Sequence, residues 1–208
     1  MGTGTVAIVD YGLGNLRSVA GAVKRAGFAL RITCRTEELE KADKLILPGV
    51  GAFGDGMKNL RERGLVETLT ELVIRRKKPI LGICLGCQLL ARESEEFGRH
   101  AGLGWLAGAV VRLRPADPAL RVPHVGWDDL VQKRESILFR GIAPDALFYY
   151  VHSYYVQPDD PSLVYGECDY GMKFPAVLQR DNIYATQFHP EKSQRQGLDL
   201  LKNFLDNA

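Results

Sequence analysis

The first half of the chain alternates short apolar runs with segments of helical period. The apolar runs, which predict buried β-strands, lie at 5–11, 29–33, 43–49 and 79–83. Between the first two runs, apolar residues at helical spacing mark one face of a helix: Leu16, Val19, Ala20 and Val23. Strands that alternate with helices form parallel βαβ units, with helices on both faces of the sheet. We therefore expect an α/β fold, a single doubly wound domain with a mostly parallel central sheet.

The second half of the chain has a different pattern. Between Trp105 and Gln187, short runs rich in β-branched and aromatic residues are separated by Gly, Pro and Asp. This predicts an added, partly antiparallel β region. A closing amphipathic helix is predicted from the apolar spacing of Leu198, Leu201, Phe204 and Leu205. No linker rich in Ser, Gly or Pro interrupts the sequence, so we expect one domain over residues 1–208.

Composition and charge exclude several classes of protein. The 208 residues are 46% hydrophobic and carry a formal net charge of +2, whereas dedicated nucleic-acid binders have a strong basic excess. No apolar run reaches the roughly 18 residues that a membrane span needs. The N-terminus lacks a basic segment followed by an apolar one, the pattern of a secretory leader. We expect a cytoplasmic protein that contacts neither nucleic acid nor membrane.

No metal or cofactor site is predicted. The chain has four Cys and four His, but neither a second C-x-x-C nor an H-x(3–5)-H pair that would suit zinc. The glycine-rich segments lack the Gly-Lys-Ser/Thr of a phosphate loop, and Arg17 stands where a dinucleotide-binding loop needs its third glycine.

The segment PILGICLGCQLL at 79–90 carries the strongest chemical signal. A predicted buried strand runs into Gly82, Cys84 and Gly86 and then into a helix, which is the G-x-nucleophile-x-G elbow with Cys as the nucleophile. At a helix N-terminus, unpaired N–H groups favour the thiolate. The N–H of Leu85 is placed to donate to an oxyanion. The alternative is a buried structural cysteine.

A second interpretation uses the same letters. Cys84 and Cys87 form a C-x-x-C, the dithiol motif of disulfide oxidoreductases. That motif usually follows the first strand of a smaller fold, whereas here it follows the fourth predicted strand. We interpret Cys87 as a thiol that packs within the helix.

A histidine and a carboxylate lie about a hundred residues later, in YATQFHPEKSQ. If the segment is a strand, His189 and Glu191 share a face roughly 7 Å apart, and Pro190 ends the ladder pairing. A Glu beside a His fixes its tautomer, and such a His can serve a nucleophile elsewhere in the fold. The alternative interpretation is a surface ion pair, which the presence of the cysteine elbow disfavours.

The glycine-rich segment 47–55 follows the third predicted strand. Loops at the carboxyl ends of parallel strands open on one edge of the sheet, so this loop and Cys84 are expected to be neighbours. Its glycines permit close backbone approach, and it can donate a second N–H to an oxyanion. The alternative is an ordinary glycine-rich turn.

Several segments together resemble the class I glutamine amidotransferases, over essentially the whole chain. The segments that carry the resemblance are PGVGAFGD, GICLGCQLL, PHVGWDD, YYVHSYY and QFHPEKS. The resemblance implies a flavodoxin-like fold. Within the class, the chain is most similar to the glutaminase subunits of a synthase of histidine biosynthesis. One departure is Cys87, where related sequences often have Met.

The resemblance also implies roles for individual residues. Cys84 would attack the side-chain amide of glutamine, His189 would act as general base and acid, and Glu191 would orient the imidazole. The oxyanion would be held by the backbone of Gly49, Val50, Gly51 and Leu85. The positions that match contacts to bound glutamine are Gln88, Glu96, His152, Ser153 and Tyr154.

The implied partner is a (βα)8-barrel cyclase subunit that receives the ammonia and forms a heterodimer with the chain. Trp127 and Lys192 match family positions at that interface. Two further hypotheses remain open at this point. The chain could be an amidotransferase that feeds a different acceptor, or a catalytically silent binding module, since a fold does not fix a function.

Overall fold

The computed structural model describes residues 4–208. The first half contains β1 (Thr5–Val9), α1 (Leu16–Arg25), β2 (Ala29–Thr33), α2 (Thr36–Lys41), β3 (Lys44–Gly49), α3 (Phe53–Glu62), α4 (Leu65–Thr70), β4 (Ile80–Cys84) and α5 (Leu85–Leu89). The second half contains β5 (Ala91–Ser94), β6 (His100–Ala101), β7 (Leu106–Arg112), β8 (His124–Asp129), β9 (Val131–Gln132), β10 (Leu147–His152), β11 (Tyr154–Pro158), β12 (Val164–Asp169), β13 (Lys173–Arg180), β14 (Ile183–Thr186) and α6 (Gln194–Asn207).

The central sheet joins both halves of the chain. Its strand order is β2-β1-β3-β4-β14-β13-β12-β9. The pairs from β2 to β14 are parallel, and the pairs from β14 to β9 are antiparallel. A smaller sheet has the order β11-β7-β5-β6, and β8 with β10 forms an antiparallel ribbon. The predicted α/β fold, with a mostly parallel sheet and an added antiparallel region, is confirmed.

Both faces of the parallel strands are buried, because successive side chains point to opposite faces. In β1, Val6 and Ile8 pack with the apolar faces of α1 and α6. Ala7 and Val9 pack on the other side, with α3, α4 and α5. A strand covered on both faces has no polar side to expose, which explains the continuous apolar runs in the first half of the sequence.

The glycine-rich segment 47–55 is shorter as a loop than the sequence predicted. Strand β3 continues through Gly49, and α3 begins at Phe53, so the loop is confined to residues 50–52. The side chain of Glu96 accepts a hydrogen bond from the Phe53 N–H at 2.6 Å. This contact satisfies one of the free amides at the start of α3, and it comes from a residue distant in sequence.

The helix after the cysteine elbow is short. Helix α5 stops at Leu89, and Ala91 already begins β5. Among residues 4–208, no helix combines the length and the apolar character that a bilayer crossing requires.

Candidate active site

The site lies at the carboxyl edge of the parallel strands. Strands β3 and β4 pair in register, and Gly49 stands opposite Cys84 at their ends. The loop 50–52 therefore leaves the sheet next to the turn that follows Cys84.

The backbone at Cys84 is strained. Its φ of 53° and ψ of −109° are values that residues with a side chain rarely adopt. The flanking glycines are required by space: a Cβ on Gly82 would lie 2.9 Å from the carbonyl oxygen of Gly86, and a Cβ on Gly86 would overlap the carbonyl oxygen of Leu47. The sharp strand-to-helix turn thus presents the thiol at the start of α5.

His189 and Glu191 form a buried pair. Nδ1 of His189 lies 2.8 Å from Oε1 of Glu191, and both side chains are 2% exposed. The expectation that they share a strand face was wrong, because β14 ends at Thr186 and residues 190–192 form a 3-10 turn. The turn, rather than a pleat, brings the ring and the carboxylate together.

Hydrogen bonds to strand β10 hold this turn in place. The N–H of His189 donates to the carbonyl of Tyr149 at 2.9 Å. The hydroxyl of Ser193 donates to the carbonyl of His189 at 2.6 Å and accepts from the N–H of Tyr149 at 3.0 Å. The backbone that carries the imidazole is therefore held on both sides.

The electrostatic surroundings of His189 favour its charged form. Burial lowers the pKa of His189, but the proximity of the Cys84 sulfur and the hydrogen bond to Glu191 raise it by more, and the net pKa is about 9. Since Nδ1 faces Glu191, Nε2 is the nitrogen available to the thiol. Nε2 makes no well-aligned hydrogen bond to any residue in 4–208.

A cavity of about 380 Å³ opens beside Cys84, a volume suited to a small ligand. It brings together most of the residues predicted for the site: Val50, Gly51, Cys84, Leu85, Gln88, Glu96, His152, Ser153, Tyr154 and Lys192, with Pro123 and Val151 completing the wall. Gly49 is buried beneath the loop.

The two residues predicted for a partner interface lie near each other. Trp127 packs edge-on against Tyr149 of the neighbouring strand, with ring centroids 5.8 Å apart. The ammonium of Lys192 lies 5.5 Å from the centroid of the Tyr149 ring. Trp127 is 41% exposed and lies on β8 directly opposite Tyr149 of β10.

Gln187 contacts the sulfur, which sequence reasoning missed. Its Nε2 lies 3.8 Å from Sγ of Cys84, and its Oε1 accepts from Nε2 of Gln88 at 3.2 Å. Nε2 of Gln88 also donates to the carbonyl of Tyr154 at 2.8 Å. The signal available in the sequence was its position two residues before His189, in the same apolar segment.

His152 is a buried neutral histidine on the cavity wall. Burial lowers the pKa of His152 to about 3. Its Nδ1 donates to the carbonyl of Tyr154 at 3.0 Å, and its Nε2 lies 3.3 Å from Nδ1 of His124. Nε2 of His124 in turn lies 3.0 Å from Asp128. A carboxylate is thus linked to His152 through His124, its cross-strand partner.

Cys87 is packed in the interior and 2% exposed. Burial, with a contribution from Cys84, raises the pKa of the Cys87 thiol far above its usual range. A dithiol oxidoreductase needs thiols that ionise and that a substrate can reach. The environment of Cys87 therefore disfavours the redox hypothesis.

The family model described as Glutamine amidotransferase class-I matches residues 7–208. The chain belongs to this family, as its sequence motifs predicted. Solved structures support the same fold. A glutamine amidotransferase superposes with a TM-score of 0.75 at 22% identity, covering 98% of this chain and 99% of that one. PurLQS from Thermotoga maritima superposes with a TM-score of 0.77 at 19% identity, covering 97% of each chain.

Curated relatives define the branch within the family. Imidazole glycerol phosphate synthase subunit HisH of Moorella thermoacetica is 50% identical and covers 96% of this chain and 93% of its own. Subunit HisH 2 of Pseudomonas aeruginosa is 46% identical over 201 residues, 97% of this chain and 98% of its own. The chain is thus homologous over nearly its full length to one subunit of a heteromeric synthase.

Proposed function

We propose that this chain is the glutaminase subunit of an imidazole glycerol phosphate synthase, acting in the cytoplasm on the pathway to histidine. It hydrolyses glutamine to glutamate and ammonia. The observation that carries the proposal is the strained Cys84 next to a buried His189–Glu191 pair, in a chain with full-length similarity to HisH subunits.

The geometry supports a thioester mechanism. The Cys84 thiolate attacks the side-chain carboxamide of glutamine and forms a tetrahedral oxyanion. His189 is protonated at neutral pH because its pKa is raised to about 9, so it can give a proton to the departing ammonia. A water molecule activated by the neutral imidazole then hydrolyses the thioester, releasing glutamate and the free thiol.

Backbone amides stabilise the oxyanion. The N–H of Leu85 begins α5 immediately after the nucleophile, and the loop that follows Gly49 borders the same cavity through Val50 and Gly51. Removing one donor from such a site typically costs on the order of 10²–10³ in rate. The family resemblance supplies the assignment of these donors.

The cavity offers matching groups for the rest of glutamine. One oxygen of Glu96 already accepts from the Phe53 N–H, and the carboxylate can receive the α-ammonium group of the substrate. Gln88, His152, Ser153 and Tyr154 line the wall around the side chain. Glu96 therefore has two roles, to accept a hydrogen bond at the start of α3 and to bind the substrate.

The acceptor of ammonia is a (βα)8-barrel cyclase subunit, which forms imidazole glycerol phosphate and an aminoimidazole carboxamide ribotide. The exposed face of the β8–β10 ribbon carries Val125, Trp127 and Leu147. Aromatic residues are enriched at interface cores, and the ribbon adjoins the cavity through Val151. Docking here would cover the cavity mouth and keep ammonia from the solvent.

The proposal is tested by measuring ammonia release from glutamine, with and without the barrel subunit and its nucleotide ligand. We expect Cys84→Ala to abolish release in both conditions while the fold is retained. Cys87→Ala is the matched control and keeps the wild-type rate. Glutamine hydrolysis by Cys84→Ala would refute the assignment, and wild-type protein that releases no ammonia even with the liganded partner would refute the function.

A further inference from the structure

We propose that Gln187 is a further catalytic residue, whose side-chain N–H donates to the sulfur of Cys84 and stabilises the thiolate. Gln187 is 1% exposed, and its Nε2 lies 3.8 Å from Sγ. Sulfur is a large acceptor, so its hydrogen bonds are longer than those to oxygen. The inference deepens the proposed function and rests on it.

The orientation of this amide is determined by its neighbours. The carbonyl of Tyr154 can only accept, so the Gln88 atom 2.8 Å from it is a nitrogen. The same nitrogen lies 3.2 Å from Gln187, and the Gln187 atom that faces it must then be the oxygen. The remaining end of the Gln187 amide, the NH2 group, faces Cys84. One backbone carbonyl thus fixes two amides in series and aims a donor at the nucleophile.

A hydrogen-bond donor beside Sγ has a specific effect, because the nearby backbone carbonyl of Val151 favours the neutral thiol. The carbonyl of Val151 lies 4.0 Å from Sγ and can accept from the S–H, whereas it would repel a thiolate. Gln187 offers the opposite preference. Its dipole therefore offsets that of Val151 and supports the charged sulfur beside His189.

Other titratable groups act on the same sulfur and belong in the interpretation of any pH profile. His189, Tyr11 and Cys87 interact with Cys84 electrostatically. Glu96 and Lys192 line the cavity into which the sulfur opens. A substitution at Gln187 leaves these groups in place. A shift in the midpoint of the pH profile can therefore be attributed to Gln187.

The test is the pH dependence of alkylation of Cys84 by iodoacetamide, followed by mass spectrometry of its peptide so that the exposed Cys34 does not interfere. A hydrogen bond to a charged group contributes enough that its loss slows alkylation at pH 7 about tenfold. We expect Gln187→Met to show this loss, with the midpoint of the profile moved to higher pH. Gln179→Met, which loses only its contact with Ser136, leaves the profile unchanged.

A second variant and a measurement on the unmodified chain guard against misfolding. Gln187→Glu keeps the size of the side chain and the acceptor for Gln88, and it moves the midpoint upward as well. In the wild-type protein, the side-chain amide protons of Gln187 shift in the NMR spectrum with the same midpoint as Cys84 alkylation. A folded variant with the wild-type midpoint, or amide signals that ignore the titration, would overturn the proposal.

The outcome is independent of turnover. Alkylation needs no glutamine and no partner, so a shifted midpoint in a protein without glutaminase activity would sink the proposed function and leave the role of Gln187 intact. An unshifted midpoint in an active glutaminase would overturn the role of Gln187 and leave the proposed function intact.

Discussion

The positive φ of Cys84 is a conformation that only glycine adopts without strain. A side chain there costs about 1–3 kcal/mol, whereas glycine gives up roughly 0.5–1 kcal/mol through its more flexible unfolded chain. The backbone strain that glycine relieves is larger than the stability that glycine loses through the unfolded chain. Cys84→Gly should therefore unfold at higher urea concentration than Cys84→Ala, with a free energy of unfolding larger by about 1 kcal/mol, although both lack a nucleophile. A lower stability of the glycine variant would show that the elbow is relaxed.

Replacing a glycine by alanine is expected to have opposite effects on stability in the elbow and in α1. A methyl group at Gly86 would overlap the carbonyl oxygen of Leu47, while a methyl group at Gly21, inside α1, would have no atom within 4 Å. We expect Gly86→Ala to destabilise the fold by about 3 kcal/mol or more. Gly21→Ala should stabilise it by about 0.5–1 kcal/mol, because alanine is the better helix former. Urea unfolding of the two variants measures both effects.

At the scale of the elements, a lysine holds the end of a helix. Nζ of Lys78 donates to the carbonyls of Leu39, Glu40 and Ala42, the last of which follows α2. A cation at this end satisfies free carbonyls and opposes the helix dipole.

Lys78→Met should therefore lower the free energy of unfolding by about 1–2 kcal/mol. The neighbouring Lys77 is the matched control: its ammonium pairs with Asp181 at 3.5 Å, and both side chains are largely exposed. Lys77→Met should change stability by less than about 0.5 kcal/mol, since exposed ion pairs contribute little. Equal losses in the two variants, measured by urea titration, would contradict the capping role.

The elements that the sequence predicted well are those whose pattern is local. Strand β2 spans the predicted residues 29–33, and β3 and β4 agree within one residue, because buried parallel strands are continuous apolar runs between breakers. Helix α3 was missed, since Gly54 and Gly56 argue against a helix. Its start depends on the side chain of Glu96, whose contact spans 43 residues.

The same distinction applies to the site. The Cys84 elbow was visible because a strand, two glycines and a helix follow each other directly. The pairing of His189 with Glu191 was expected from strand alternation, and the 3-10 turn that produces it was not. Gln187 lies two residues before His189, but its contact with Cys84 spans 103 residues, and that of His152 with His124 spans 28. Neither contact can be read from a local pattern.

At the scale of the whole molecule, two buried histidines oppose each other in their effect on stability. The pKa of His152 is lowered to about 3 by burial, and that of His189 is raised to about 9 by Cys84 and Glu191 against the effect of burial. In the unfolded chain both return to about 6.5. Below pH 6.5 residue 152 is protonated in the unfolded chain but stays neutral in the folded protein. The free energy of unfolding therefore falls as the pH is lowered towards 3.

Above pH 6.5 the folded protein keeps a proton at residue 189 that the unfolded chain has lost. The stability from this group is fully present below pH 6.5 and is lost as the pH rises through 9. The two histidines therefore act on opposite sides of pH 6.5. His124, whose pKa burial also lowers, acts with His152 on the acid side, and the buried thiols of Cys87 and Cys168, whose pKa burial raises, act with His189 on the alkaline side. Urea unfolding from pH 5 to 9 should show that His152→Asn reduces the slope of the acid flank and His189→Asn that of the alkaline flank. Cys84→Ala should flatten the alkaline flank in part, because the thiol contributes to the raised pKa of His189. An alkaline flank of wild-type slope in His189→Asn would mean that the folded protein does not hold the imidazolium, and the proton that the mechanism gives to ammonia would then need another source.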